Sequence, residues 1–286
     1  MLTIFAKEWP LLIFTLLTQL AVGAYLFFVI IRSFQNKIDS KVSTKVTKRG
    51  MFFVGPVTVL ALFFSIFHLG DPFGAYRSLG NIATSWLSRE ILFAGLFFGL
   101  WIVSYLMERR GNWNLIIGWV TSIVGLVSIF SMASIYATTV FPAWTDLNTY
   151  LAFYGTTILF GAVVSMMAIL ISKESSEGLT TVLKGIGLVG LAAIIVQLVY
   201  MPVFVAGLSS SGTAGLESAS LLTGSLAVPT IIRWVLSIVG LVMIGYVFTK
   251  SKIQQAGFSL VYTAFALVIV GEFLGRLVFY TTGIPM

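Results

Sequence analysis

From Leu115 to Ala137 there is no Asp, Glu, Lys, Arg or His, and stretches like it recur along the whole sequence. A helix needs about 20 apolar residues to cross about 30 Å of hydrocarbon. Successive windows of that length, each bounded by charges, aromatics or Gly/Pro turns, dictate a membrane-spanning protein. A porin-type barrel would alternate with period two instead. The periodicity predicts helices over approximately 10–31, 51–69, 90–107, 114–137, 150–172, 185–206, 230–249 and 257–280. The expected fold is thus an all-α integral membrane protein, a single transmembrane domain over 1–286 built as a bundle of eight helices. The first apolar segment is too long, and too weakly preceded by positive charge, for a cleaved signal peptide, and reads as a retained span.

Charge follows the same frame. Only 9% of the 286 residues are charged, against roughly a quarter in soluble domains. The formal net charge of +7 is spread by topology rather than gathered into a patch. Arg32, Lys37, Lys41, Lys45, Lys48 and Arg49 lie between the first two spans. Arg109, Arg110, Lys173, Lys184, Lys250 and Lys252 fall in connections on the same side. Positive loops stay cytoplasmic, so both termini are expected on the outer, periplasmic side. Trp9, Trp86, Trp144 and Trp234 near outer helix ends, and Trp113 near an inner one, fit that frame. The basic run is a topology signal first and a surface for anionic lipid second, with no nucleic-acid partner expected. The longest outer connection, 207–229, is rich in Ser and Gly and reads as flexible.

Several chemistries are excluded outright. With no cysteine there is no disulfide, thiolate nucleophile or cysteine-ligated cluster, and one histidine cannot supply a bis-histidine haem. Gly185-Ile186-Gly187-Leu188-Val189-Gly190 matches the dinucleotide pattern but lies inside a span, without the preceding strand that the fingerprint needs. It reads as helix packing, as do the G-x-x-x-G pairs Gly95/Gly99 and Gly271/Gly275. No Ser/His/Asp set, metal cluster or phosphate loop is present, so the sequence offers no self-contained hydrolase or transferase.

What remains is a set of ionisable groups inside oil, each costing about 2.5–3.5 kcal/mol or more at a helix centre. They share an address toward the outer leaflet: His68, Arg89, Glu90, Arg233, Glu272 and Arg276. The i,i+4 spacing of Glu272 and Arg276 predicts an ion pair on one helix face, with Arg276 snorkelling outward. Ser88 is a candidate N-cap, which would put Glu90 in a first helical turn where the dipole favours a carboxylate. Gln19 has a plain use as a bond to a neighbouring helix. For His68 the plain reading is a tethering hydrogen bond. The alternative is a site for a lipid-soluble molecule whose head group gains and loses protons, which describes a quinone. The sequence holds no redox centre, so quinol oxidation would require an iron–sulfur partner docked on the outer face. A small-solute transporter and a purely structural anchor are the competing readings. Transporters usually gather their polar groups near the midplane, not toward one face.

The segments Lys7-Glu8-Trp9-Pro10-Leu11-Leu12-Ile13-Phe14, His68-Leu69-Gly70-Asp71-Pro72 through Arg77-Ser78-Leu79, Ser88-Arg89-Glu90-Ile91 and Gly271-Glu272-Phe273-Leu274-Gly275-Arg276 with Phe279-Tyr280 resemble, in that order, the membrane anchor subunit of dimethyl sulfoxide reductase. The resemblance spans essentially the whole sequence. It implies a multi-pass protein of the bacterial inner membrane that anchors a molybdopterin catalytic subunit and an iron–sulfur electron-transfer subunit on the periplasmic side. It also implies menaquinol as electron donor, and no haem or iron–sulfur cluster in the anchor itself. Carried over by residue, His68 would assist quinol deprotonation and Glu90 would relay the proton. Arg77, Glu272 and Arg276 are the further candidates to surround the head group.

Overall fold

The computed structural model describes residues 2–34, 36–67, 79–172, 174, 176–249 and 258–285. Among them are α1 (Leu2–Ser33), α2 (Ser40–Ile66), a 3-10 turn (Leu79–Asn81), α3 (Trp86–Arg109), α4 (Leu115–Ala137), α5 (Leu147–Ser172), α6 (Glu177–Ser209), α7 (Gly212–Thr223), α8 (Ala227–Thr249) and α9 (Phe258–Thr281). All the α-helices but α7 are long and apolar enough to cross a membrane, which gives the eight expected spans. An even number of crossings puts both termini at one end of the bundle, here called the terminal end. The opposite end carries the exposed Lys41, Lys45, Lys48, Arg49, Arg109 and Arg110 and is called the basic end.

Helices α1 and α5 form the centre. In their most apolar stretches 72% and 67% of the residues are buried, against 28% for α2 and 22% for α6. The reason is local: a Cβ on Gly161 would lie 2.6 Å from the Gly23 carbonyl carbon, and one on Gly23 would lie 3.0 Å from the Gly161 nitrogen. Backbone therefore meets backbone where α1 crosses α5, the close approach that small residues allow in membranes. Around this pair, α2 and α4 pack on α1, α3 on α4, α6 on α5, and α8 on α9.

From Ser40 onward the basic segment before residue 50 is helical, not a loop. Asp39 caps α2 by accepting from the Lys41 N–H at 2.8 Å, and Ser43, Val46 and Thr47 turn one face inward. Arg32, counted above among the cytoplasmic charges, is only 2% exposed. It donates to Thr47 at 2.6 Å, pairs with Glu108 and lies under the Trp113 ring. This ties α1, α2 and α3 together.

The 207–229 connection is not a flexible linker. It contains α7, whose Ala214, Gly215, Ser218, Ala219 and Leu222 form a buried face. Ala219 and Leu222 pack with Phe204, Leu208 and Val278, and the Ser218 hydroxyl donates to the Thr282 carbonyl at 2.8 Å. Its small residues give little hydrophobic periodicity, which is why the stretch reads as linker. Gly212 makes the break from α6 with φ +77°, a left-handed turn that glycine adopts without strain.

The glycine motifs divide. Gly187 and Gly190 of the dinucleotide-like run sit inside α6, where added Cβ atoms would meet Met166 and Ala162 at 3.2 Å, so these two serve helix packing, whereas a Cβ at Gly185 would meet nothing within 4 Å. Gly271 and Gly275 also pack, against α8. Gly95 and Gly99 do not: a Cβ at either would meet nothing within 4 Å, so that pair makes no helix crossing.

Candidate functional site

The motif GEFLGR near the end of α9 organises the terminal end of the bundle. Without side chains at Gly271 and Gly275, α9 lies directly against α8. A Cβ at Gly271 would be 2.6 Å from the Ser237 hydroxyl, and one at Gly275 would strike the Arg233 side chain. Into that close approach α9 projects Glu272, 2% exposed. Its carboxylate accepts from Thr156 of α5 at 2.6 Å and from Ser237 of α8 at 3.0 Å, with Arg233 of α8 at 3.6 Å. Arg233 in turn donates to Gln197 of α6 at 2.9 Å and stacks over Trp234. Glu272 lies nine residues inside the helix end, about 13 Å at 1.5 Å per residue, so its neighbours must replace hydration.

The expected Glu272–Arg276 pair is therefore not the contact that satisfies either residue. Arg276 does not snorkel outward; it is 4% exposed. It donates to the Gln19 side-chain oxygen at 2.8 Å, while Gln19 donates to the Phe153 carbonyl at 2.9 Å. The guanidinium sits 3.8 Å from the Phe153 ring centroid. One turn further along, the Tyr280 and Tyr136 hydroxyls are 2.9 Å apart, and Trp144 donates to the Phe279 carbonyl at 2.8 Å. The polar seam thus threads α1, α4, α5, α6, α8 and α9.

Glu90 borders the same seam. The N-cap of α3 is Ser85, which accepts from the Ser88 N–H at 3.3 Å. Ser88 is thus inside the helix, and Glu90 lies past the first turn, where the dipole argument weakens. Glu90 is 5% exposed, accepts no hydrogen bond from a described residue, and lies within electrostatic reach of Tyr136 and Tyr280. Arg89 is structural, because it donates to the Ile82 and Ala83 carbonyls at 2.9 and 2.7 Å and lies over Trp86, fixing the entry to α3. His68 and Arg77 lie outside the described residues. Phe67, which precedes them, rests against Trp9 of α1.

Of the expected residues, then, Glu90, Glu272 and Arg276 lie toward one end of the bundle, and Glu90 and Arg276 are within electrostatic reach of the tyrosine pair. Sequence reasoning missed Tyr136, Tyr280, Thr156, Ser237 and Gln197 as members of the seam. Tyrosines near helix ends pass for interfacial anchors, and spanning Ser and Thr usually bond back to their own helix. The described cavity bordered by Arg233, Arg276, Thr156 and Gln197 is about 40 Å³, room for a water molecule and far too small for a quinone ring. Among the described residues no three His, Cys, Asp or Glu side chains group to hold a metal.

A buried carboxylate, a tyrosine pair and a cross-helix polar seam occur here together with the four quoted segments. Known proteins that match this sequence match it nearly end to end. The C subunit of anaerobic dimethyl sulfoxide reductase from Haemophilus influenzae is 29% identical over 278 residues, covering 96% of this protein and 94% of that one. The anaerobic dimethyl sulfoxide reductase subunit YnfH of Escherichia coli is 30% identical over 281 residues with the same coverage, and the C subunit from that organism is 23% identical over 278. Residues 4–282 match the family described as DMSO reductase anchor subunit (DmsC), a span that takes in all eight crossings and the whole seam, and the protein belongs to that family.

Proposed function

We propose that this protein anchors a molybdopterin catalytic subunit and an iron–sulfur subunit at the bacterial inner membrane and oxidises menaquinol near the terminal end of its bundle. The observation that carries the reading is Glu90, a carboxylate buried near a helix start with no hydrogen bond from a described residue, within electrostatic reach of the Tyr136–Tyr280 pair. A carboxylate so placed is suited to receive a proton from a quinol hydroxyl. Oxidation of one quinol releases two protons and two electrons. His68 takes each of the two protons in turn from the head group, and Glu90 accepts and relays it toward the surface. Arg77 orients the head group. The electrons pass to a cluster of the iron–sulfur partner docked over this end.

Glu272 and Arg276 serve the site from behind. The about 40 Å³ cavity beside them holds no ring, so they fix the end of α9 that carries Tyr280. If this end is periplasmic, protons and electrons leave on the same side, and turnover moves little charge across the membrane.

The test is quenching of a hydroxyquinoline N-oxide by the purified protein with its co-purifying subunits. Saturable quenching is expected, and is expected to be lost in His68→Arg. In Glu90→Gln, quinol-driven reduction of the partner clusters should fall by about 10²-fold or more, while dithionite still reduces them. Unchanged quenching and unchanged quinol-driven reduction in both variants would overturn the proposal.

A further inference from the structure

A recess lined by both cationic and aromatic side chains lies at the other end. Between the basic ends of α2 and α3 is a groove of about 440 Å³. Its floor is aromatic. Trp101 and Tyr105 stack along α3 with centroids 5.4 Å apart, and Phe52 of α2 meets Tyr105 at 5.8 Å. The Trp101 indole donates to the Met51 carbonyl at 2.8 Å and clamps α3 to α2.

Three cations line this groove: Lys48 and Arg49 from α2 and Arg109 from α3. All three are exposed, and none pairs with a carboxylate of a described residue. The one acid in the lining, Glu108, is already held by the two terminal guanidinium nitrogens of the buried Arg32, so it leaves the cations uncompensated. On the other flank of α2 a second recess, about 540 Å³, shares Arg49 and Phe53 with the first and continues over apolar side chains such as Val57 and Val164. Its own Lys45 is spoken for by Glu174.

We infer that the α2–α3 groove is a binding site for one anionic glycerophospholipid, its phosphate held by Lys48, Arg49 and Arg109 and its acyl chains lying along the aromatic floor and the apolar recess beyond Phe53. Three features favour that occupant. Lys48 and Arg49 border the start of the apolar stretch of α2 and Arg109 ends α3, the depth of lipid headgroups, where a basic pocket between spanning helices suits a phosphate. The adjoining walls are apolar and aromatic, as acyl chains require. The lysine and two arginines stand on two different helices and converge on one groove, which a zwitterionic headgroup would satisfy less well. This site is independent of the quinol reading, lying at the opposite end of the bundle.

Native mass spectrometry of the full-length protein with its co-purifying subunits tests the inference. The protein is released from nanodiscs containing equal phosphatidylglycerol and phosphatidylcholine. Phosphatidylglycerol is expected to remain bound after phosphatidylcholine has dissociated. Replacing all three cations (K48Q, R49Q and R109Q together) should reduce the retained phosphatidylglycerol by about tenfold or more. The charge-conserving pair R49K and R109K should retain it, which separates lost charge from lost folding. Equal retention of the two lipids by the parent protein, or undiminished phosphatidylglycerol on the triple variant, would overturn the site. So would equal loss in the charge-conserving pair, because a phosphate accepts lysine as a counter-charge.

Discussion

Glu272 is held by residues that its own helix does not supply. Thr156, Ser237 and Arg233 come from α5 and α8. Removing one partner of such a set leaves the others buried and unpaired, so Glu272→Ala should lower stability by about 3–5 kcal/mol. Glu272→Gln, which keeps an acceptor for the two hydroxyls, should cost less. Unfolding in a denaturing-detergent titration reads both. Tyr280→Phe and Tyr136→Phe each remove the same 2.9 Å contact. Each should cost about 0.5–1.5 kcal/mol, and the double variant should cost less than the sum, measured the same way. The sequence made Glu272 and Arg276 visible because charges in oil are rare. It paired them wrongly because i,i+4 spacing reports a shared helix face, not what faces it. Arg276 found Gln19, and that contact joins residues 257 positions apart.

At the scale of the element, the eight apolar windows were legible because burial in lipid leaves no other reading for them. Ends were less so. Helix α2 begins at Ser40 rather than near residue 51 because its first turns are amphipathic, with lysines outward and Ser43, Val46 and Thr47 inward. Helix α7 escaped notice because its buried face is largely small residues. G-x-x-x-G spacing identified the α8–α9 crossing, failed at Gly95/Gly99, and missed Gly23 with Gly161, which belong to different helices and form no motif in either. A contrast tests this. Gly161→Ala should cost about 1–3 kcal/mol by overpacking against α1, and bulkier residues there should reduce the amount of assembled protein. Leu at Gly95 or Gly99 should leave thermal stability nearly unchanged, because open space surrounds both.

For the whole molecule, what distinguishes the two ends is polarity of different kinds: a buried, cross-linked seam at one and exposed cations at the other. That asymmetry carries the expected orientation, and the absence of any cysteine makes it simple to examine. Single cysteines at Ser210 and Lys41, two exposed positions at opposite ends, should label differently with a membrane-impermeant thiol reagent. Ser210→Cys should react in spheroplasts, and Lys41→Cys only after permeabilisation. The reverse pattern would place the seam on the cytoplasmic face and move the proposed quinol chemistry with it.

The contact between Gln19 and Arg276 joins the first spanning helix to the last. Until α9 is made, Gln19 lacks its guanidinium, and Thr156, Ser237 and Arg233 lack their carboxylate. Each of these groups is costly to leave unpaired in hydrocarbon. A nascent or truncated polypeptide therefore exposes stranded polar side chains to lipid, and arrival of the final helix removes the mismatch in a single step.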